Sequence, residues 1–230
     1  MSTPADLPEQ ERLSGASPGV LDALAQARAF GYLGPGPLQT HLDHSHGFGD
    51  AVESAASLVG GPTDGALHGR RRVVDLGTGG GIPGLVLADR WPDSQWLFVD
   101  SHRRRMGTLL DVLVQLGWAD RCEVVLDRAE LVARRPDLRG VCDLVVARGF
   151  AAPAVTAECA AGFLRPGGLL VVSEPPEGPD RWSDRGLAEL GMARVIVAPH
   201  TFRFFVAVQE RTCPPKYPRA VGVPGKSPLF

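Results

Sequence analysis

The stretch Val73-Val74-Asp75-Leu76-Gly77-Thr78-Gly79-Gly80-Gly81-Ile82-Pro83-Gly84 decides the fold. A short apolar run of strand character, interrupted by an acid, empties into a glycine-rich turn. Pro83 then suits the first position of a helix. Glycines in such a turn let the backbone approach a ligand and adopt positive φ. Their spacing alone is a weak signal, because Gly77–Gly84 satisfies both G-x-G-x-G and G-x-G-x-x-G. Asp75 sharpens it: a carboxylate here would repel a pyrophosphate but favour an α-amino group or a sulfonium. The next apolar run, Gln95–Asp100, also ends in an acid, 19 residues after Gly81. A carboxylate so placed can accept both hydroxyls of a ribose. Two acids around a loop with no phosphate partner point to S-adenosyl-L-methionine rather than a dinucleotide.

Outward from this stretch, short apolar runs alternate with helical periods. The strand candidates are Arg72–Leu76, Gln95–Asp100, Glu123–Leu126, Cys142–Ala147 and Leu169–Ser173, with helices near 83–91, 103–117, 129–134 and 153–164. Such alternation builds β-α-β units and a parallel sheet. Leu164–Gly168 reads as a helix stop and turn feeding the fifth strand. A helix over Arg181–Leu190 precedes two strands, Ala193–Ala198 and Phe202–Gln209, whose three-residue connection is too short for a crossover. They must pair antiparallel. Upstream, helical patterns cover Val20–Phe30 and Leu38–Leu58, separated by the Gly/Pro-rich break at 31–37.

Composition adds exclusions. Of 230 residues, 44% are hydrophobic and 22% charged, which rules out a wholly disordered chain, a coiled coil and a collagen-like repeat. No apolar run reaches the roughly 18 residues of a membrane span, and the polar N-terminus lacks a signal pattern. The four cysteines show no C-x-x-C spacing and read as buried thiols of a cytoplasmic protein. The net charge of −2 excludes a surface coated with phosphate-binding groups, yet the last twenty residues hold four cations and no acid. A nucleic-acid partner is therefore open through a local patch. His41, His44 and His46 lie beside Asp43, but their spacing matches no standard zinc signature, so no metal is assigned.

From about residue 30 onward the chain resembles the RsmG or GidB family of small-subunit (16S) ribosomal RNA guanine-N7 methyltransferases. The resemblance rests on Asp75-Leu76-Gly77-x-Gly79-x-Gly81-x-Pro83-Gly84, on Val99-Asp100-Ser101 with Arg103-Arg104-Arg105, and on Arg128-Ala129-Glu130. Arg148-x-Phe150-Ala151 and the tail from Pro218 to Leu229 complete it. It implies a seven-stranded α/β class I methyltransferase (Rossmann-like) sheet, five parallel strands plus an antiparallel C-terminal hairpin, with an N-terminal helical extension. The expected segments are a disordered leader (1–18), the helical extension (19–69), the S-adenosylmethionine-binding domain (70–210) and a basic, Pro-rich tail (211–230).

Position in this fold and the resemblance together suggest roles. Asp75, Gly77, Thr78, Gly79, Gly81, Pro83, Asp100, Ser101, Arg128, Ala129, Glu130 and Arg148 would bind the cofactor, with Ala129 and Glu130 at the adenine end. Arg148 and Phe150 would act at the methyl group and incoming nucleotide, Phe150 by stacking on an extruded base. Arg103, Arg104, Arg105, Lys216, Arg219 and Lys226 would contact RNA, the tail crossing back over the cleft. The expected partner is small-subunit rRNA or the 30S subunit, met by a monomer with no membrane role. Guanine N7 carries a lone pair and no proton, so no general base is required. The chain departs from the family at Glu174-Pro175, where a Lys-Gly is usual, and at His44, which replaces an Asp. Two other readings stay open: the same cofactor with a small-molecule or protein acceptor, and a non-catalytic cofactor-binding protein.

Overall fold

The computed structural model describes residues 15–59, 71–198 and 201–230. Expectations for 1–14, 60–70 and 199–200 fall outside the described residues. In chain order the elements are α1 (Pro18–Ala29), α2 (Leu38–Leu58), β1 (Arg72–Leu76), α3 (Gly84–Arg90), β2 (Gln95–Asp100), α4 (Arg103–Gln115) and β3 (Cys122–Leu126). Then come α5 (Ala129–Val132), β4 (Cys142–Ala147), α6 (Pro153–Phe163), β5 (Leu164–Ser173), α7 (Asp184–Leu190), β6 (Met192–Val195), β7 (Phe204–Gln209) and α8 (Val223–Lys226).

The seven strands form one sheet in the order β3-β2-β1-β4-β5-β7-β6. β1 to β5 are parallel, and β7 enters antiparallel between β5 and β6. β6 therefore runs with the first five, and a single strand is reversed. The seven-stranded α/β class I architecture read from the sequence is the one observed. Two details differ. β5 begins at Leu164, not Leu169: Leu164 opposes Cys142 and Leu169 opposes Leu144, so 165–168 bulge out of register. The helix expected from Arg181 starts at Asp184, where the Ser183 hydroxyl accepts the Gly186 amide as a cap.

Side chains that alternate along each strand feed two separate cores. Val73, Trp96, Phe98, Leu144, Val146, Val171 and Val206 join Val20, Leu24, Leu42, Phe48 and Val52 on one face. Val74, Leu97, Val99, Val145, Leu170 and Phe205 join Val132, Phe163 and Leu187 on the other. The two N-terminal helices are thus a cover of the sheet, buried with it. All four cysteines are buried free thiols, and burial raises Cys122 to about 11 and Cys142 to about 12.

The C-terminal segment corrects an expectation. It does not lie free over the cleft; it is folded onto the second core through Cys213 and Tyr217, with Leu229 and Phe230 packed against that core. Arg139 donates to the carbonyls of Cys213, Pro214 and Tyr217, and Arg134 to those of Lys216 and Pro218. Arg219, expected to bind RNA, is committed elsewhere. Its guanidinium grips the fully buried Glu158 of α6 at 2.6 and 2.9 Å, and its amide adds a bond at 2.7 Å. A buried carboxylate is tolerable only when paired, so the pair holds the strap in place. Arg219→Ala should cost about 3–5 kcal/mol in urea unfolding because it strands Glu158. Adding Glu158→Gln should recover part of that loss. Additive single-variant costs would mean that the two residues are not coupled.

Candidate functional site

In an open α/β sheet, ligands sit beyond the carboxyl ends of the strands where strand order reverses. Here that point lies between β1 and β4, the two strands that flank the reversal. The glycine loop turns off β1 against the end of β2: the Gly77 and Thr78 amides donate to the Val99 carbonyl at 2.8 and 3.2 Å. Gly77 has φ +74°, and a Cβ there would lie 2.6 Å from the Phe150 ring, so both conformation and space require glycine.

Asp75, expected to face the ligand, does not line the cavity. It is fully buried behind the loop, where one oxygen accepts the Thr78 hydroxyl at 2.7 Å and the Gly84 amide at 3.0 Å. Its other oxygen, Oδ1, has no partner. Burial raises its pKa to about 7, although the two hydrogen bonds favour the ionised form. Asp75 is the brace of the loop. Thr78, Gly79, Gly81 and Pro83 form that loop and likewise do not line the cavity.

Beyond the loop is a cavity of about 270 Å³. Gly77, Asp100, Ser101, Arg128, Ala129, Glu130 and Phe150 line it together. Asp100 accepts the Gly79 amide through Oδ2 at 3.0 Å and the His102 amide through Oδ1 at 2.8 Å, so its orientation is set before any ligand arrives. Each oxygen keeps a second lone pair for a hydroxyl donor. Burial opposes the charge of Glu130. Bonds from Arg128 at 3.1 Å and from the Gly222 amide at 3.0 Å outweigh it and hold the pKa below the ordinary carboxylate value. The folded tail therefore reaches the site through Glu130. Acids at Asp100 and Glu130, an open backbone at Gly77, and apolar surface from Ala129, Phe150 and Val155 suit a ribose carrying a flat purine.

Arg148, expected both at the cofactor and at the incoming nucleotide, does not line this cavity. It lines a neighbouring cavity of about 440 Å³ at the ends of β4 and β5, which shares Gly149, Phe150 and Ala151 with the first. Phe150 is the partition between the two. Glu174 is neutralised by Arg181 through bonds of 2.8 and 3.2 Å. Arg105 lines the first cavity; its Nε is buried without a partner, and its Cζ lies over the Tyr32 ring, 5.9 Å from the ring centre. Arg103 and Arg104 stay exposed, as do Lys216 and Lys226.

Three contributors escaped the sequence reading. Asp127 and Val155 line the cavity, and the Gly/Pro-rich break closes on the loop. A Cβ on Gly80 would meet the Leu33 side chain at 2.8 Å and the Tyr32 carbonyl at 3.0 Å. The only signal for that contact was Gly80, the middle of three consecutive glycines and the one without a positive φ. Of the clustered histidines, His44 packs its ring against Phe48, Phe202 and Phe204 with Nδ1 buried and unpartnered, and His46 lies against the Gly15 carbonyl.

Comparison with known proteins adds sequence to geometry. A family model described as GidB, rRNA small subunit methyltransferase G, matches residues 63–174. The chain is 39% identical over 188 residues to the ribosomal RNA small subunit methyltransferase G of Deinococcus deserti, covering 78% of this chain and 75% of that one. The protein of the same name from Parasynechococcus marenigrum is 34% identical over 176 residues, 70% of this chain and 69% of that one. Among solved structures, a Corynebacterium glutamicum protein superposes with a TM-score of 0.53 at 16% identity, covering 86% and 93% of the two chains. A candidate sarcosine dimethylglycine methyltransferase from Galdieria sulphuraria gives 0.51 at 16% identity over 67% and 63%. These structural likenesses establish the fold alone.

The brace makes a pH-dependent prediction. Between the ordinary carboxylate value near 4 and about 7, the unfolded chain is ionised at Asp75 while the native chain keeps its proton. Native stability should therefore fall with rising pH in that window, by up to about 1.4 kcal/mol per unit. Asp75→Asn should remove this slope. The gap in unfolding free energy should drift toward the variant from pH 4 to 7 and level off above. A gap independent of pH would refute the protonated brace.

Proposed function

We propose, for a chain that belongs to the GidB family of rRNA small subunit methyltransferases G, that it methylates N7 of a guanine in small-subunit rRNA with S-adenosyl-L-methionine as donor. The observation that carries this reading is the cavity at the β1/β4 switch, where Gly77, Asp100, Ala129 and Glu130 converge. When bound, S-adenosylmethionine supplies an electrophilic methyl group on a sulfonium. Asp100 would hold the ribose hydroxyls, and Ala129 with Glu130 the adenine end.

The chain's own contribution is placement. N7 of guanine has no proton to lose, so no side chain has to act as base. Orienting the base and excluding water can supply up to roughly 7–11 kcal/mol of barrier lowering. The neighbouring cavity bounded by Arg148, Phe150 and Trp182 supports entry of the acceptor from the β4/β5 side. Phe150, in contact with both cavities, would stack on the base. Glu174 is already paired with Arg181, so it offers little repulsion to an approaching phosphate. Exposed Arg103 and Arg104, at the start of α4 next to Asp100, would meet RNA phosphates, aided by Lys216 and Lys226. A small-subunit rRNA acceptor implies a cytoplasmic protein, and we propose that it acts there as a monomer. None of the described helices is long and apolar enough to cross a membrane.

The decisive test is mapping N7-methylguanine in small-subunit rRNA from cells with and without this gene, then restoring it with purified protein and 30S subunits. Loss of a single modified guanine is expected; an unchanged pattern, with transfer to a small molecule or protein, would overturn the acceptor. Asp100→Asn should weaken S-adenosylmethionine binding about 10- to 100-fold by calorimetry, since it removes a charged acceptor from two hydroxyls. Arg103→Ala with Arg104→Ala should flatten the salt dependence of RNA binding by about one to two units in slope, leaving cofactor affinity intact.

A further inference from the structure

His41 belongs to α2, outside the methyltransferase strands, yet both of its ring nitrogens are engaged. Nε2 lies 3.0 Å from the Gly34 carbonyl and Nδ1 lies 2.8 Å from Arg148 Nη2. A carbonyl can only accept and a guanidinium can only donate. The two neighbours therefore fix the ring as the neutral tautomer that carries its proton on Nε2. Only 4% of His41 is exposed, so no water competes for Nδ1 on equal terms. The other arm of Arg148, Nη1, is buried without a partner. This arginine lines the cavity that adjoins the cofactor cavity.

We infer that His41 is a positioning residue: as a neutral Nε2–H imidazole it holds one arm of Arg148 and leaves the other free to act at the seam between the two cavities. The inference rests on the methyltransferase reading given above. It gives the helical extension a part in the reaction, because α2 delivers the acceptor and Gly34, in the Gly/Pro-rich break, sets its tautomer. Protonation would break the arrangement, since an imidazolium would aim a second N–H and a positive charge at a guanidinium.

The surroundings favour the neutral ring. Burial lowers the pKa of His41 below 6.5; the Gly34 bond opposes this, while the charges of Arg148 and of Arg28 on α1 add to it. His44, on the same helix, is held at about 4 by burial and stays uncharged. Asp75 of β1 is the acid that faces Arg148 from the sheet. His41 is thus neutral above pH 6.5 and gains its proton only as pH falls below that value.

The test compares the wild-type chain with His41→Asn, which keeps an acceptor near the Nδ1 position and cannot titrate, and His41→Phe, which keeps the ring shape alone. Methyl transfer to 30S subunits is measured from pH 5 to 9 under saturating donor. His41→Phe should lose on the order of 10- to 100-fold in kcat, with KM for the subunit little changed, as expected for a displaced positioning contact. Wild-type kcat should fall as pH drops below 6.5; His41→Asn should restore most of kcat and abolish that fall. In ligand-free protein, nitrogen-15 shifts of the imidazole should report the Nε2–H form, with an Nδ1 shift that changes in Arg148→Lys. An Nδ1–H tautomer, a wild-type kcat in folded His41→Phe, or an unchanged acid limb in His41→Asn would overturn the inference. Should His41→Phe fail to fold, the Asn profile and the imidazole shifts decide. A wild-type protein inactive on every small subunit would instead strike the proposed function, and the shifts would still judge the His41–Arg148 link.

Discussion

A carboxylate with no water around it governs the working end of this protein. Asp75 is sealed beneath the glycine loop, where one oxygen ties the Thr78 hydroxyl to the first amide of α3. That oxygen converts a flexible run of glycines into a turn of fixed shape and aligns the loop with the end of β2. The Gly79 amide can then meet Asp100, and the Gly77 backbone can form the cavity floor. An acid in the middle of a strand costs desolvation, visible in its raised pKa. The loop is what that cost sustains.

Two segments that the sheet does not need for its own closure converge on the same end. The C-terminal strap is pinned by Arg219 on Glu158 and sends the Gly222 amide to Glu130. The N-terminal helices cover the opposite face; the break between them presents Tyr32 and Leu33 to the loop, and α2 presents His41 to Arg148. Cofactor-side residues are thereby held from both faces of the sheet. A substitution far along the chain in either segment can disturb the site without touching any ligand.

Cations show how burial redistributes meaning. Arg103, Arg104 and Arg105 are one basic run in sequence, but the α4 helix turns the third inward to the cavity and leaves the first two in solvent. Arg219 and Lys226 look alike in a basic tail, yet one neutralises a buried glutamate while the other stays exposed. Charge counts describe what a patch could attract. Only partners decide which charges remain available.

The sequence alone determined the β-α-β order, most strand limits to within a residue or two, the glycine loop with Asp100 and Ala129–Glu130 at its rim, and the antiparallel last pair. These follow from local patterns: the period of apolar residues, glycine and proline breaks, and a connection too short to cross a sheet. The tertiary structure decided the slot of β7 between β5 and β6, the inward turn of Asp75, the capture of Arg219 by Glu158, and the grip of His41 on Arg148. Each of those joins residues distant in sequence or depends on which side of an element faces the core. Such pairings arise from the closing of the whole sheet under its two helical layers, and no short window of sequence encodes them.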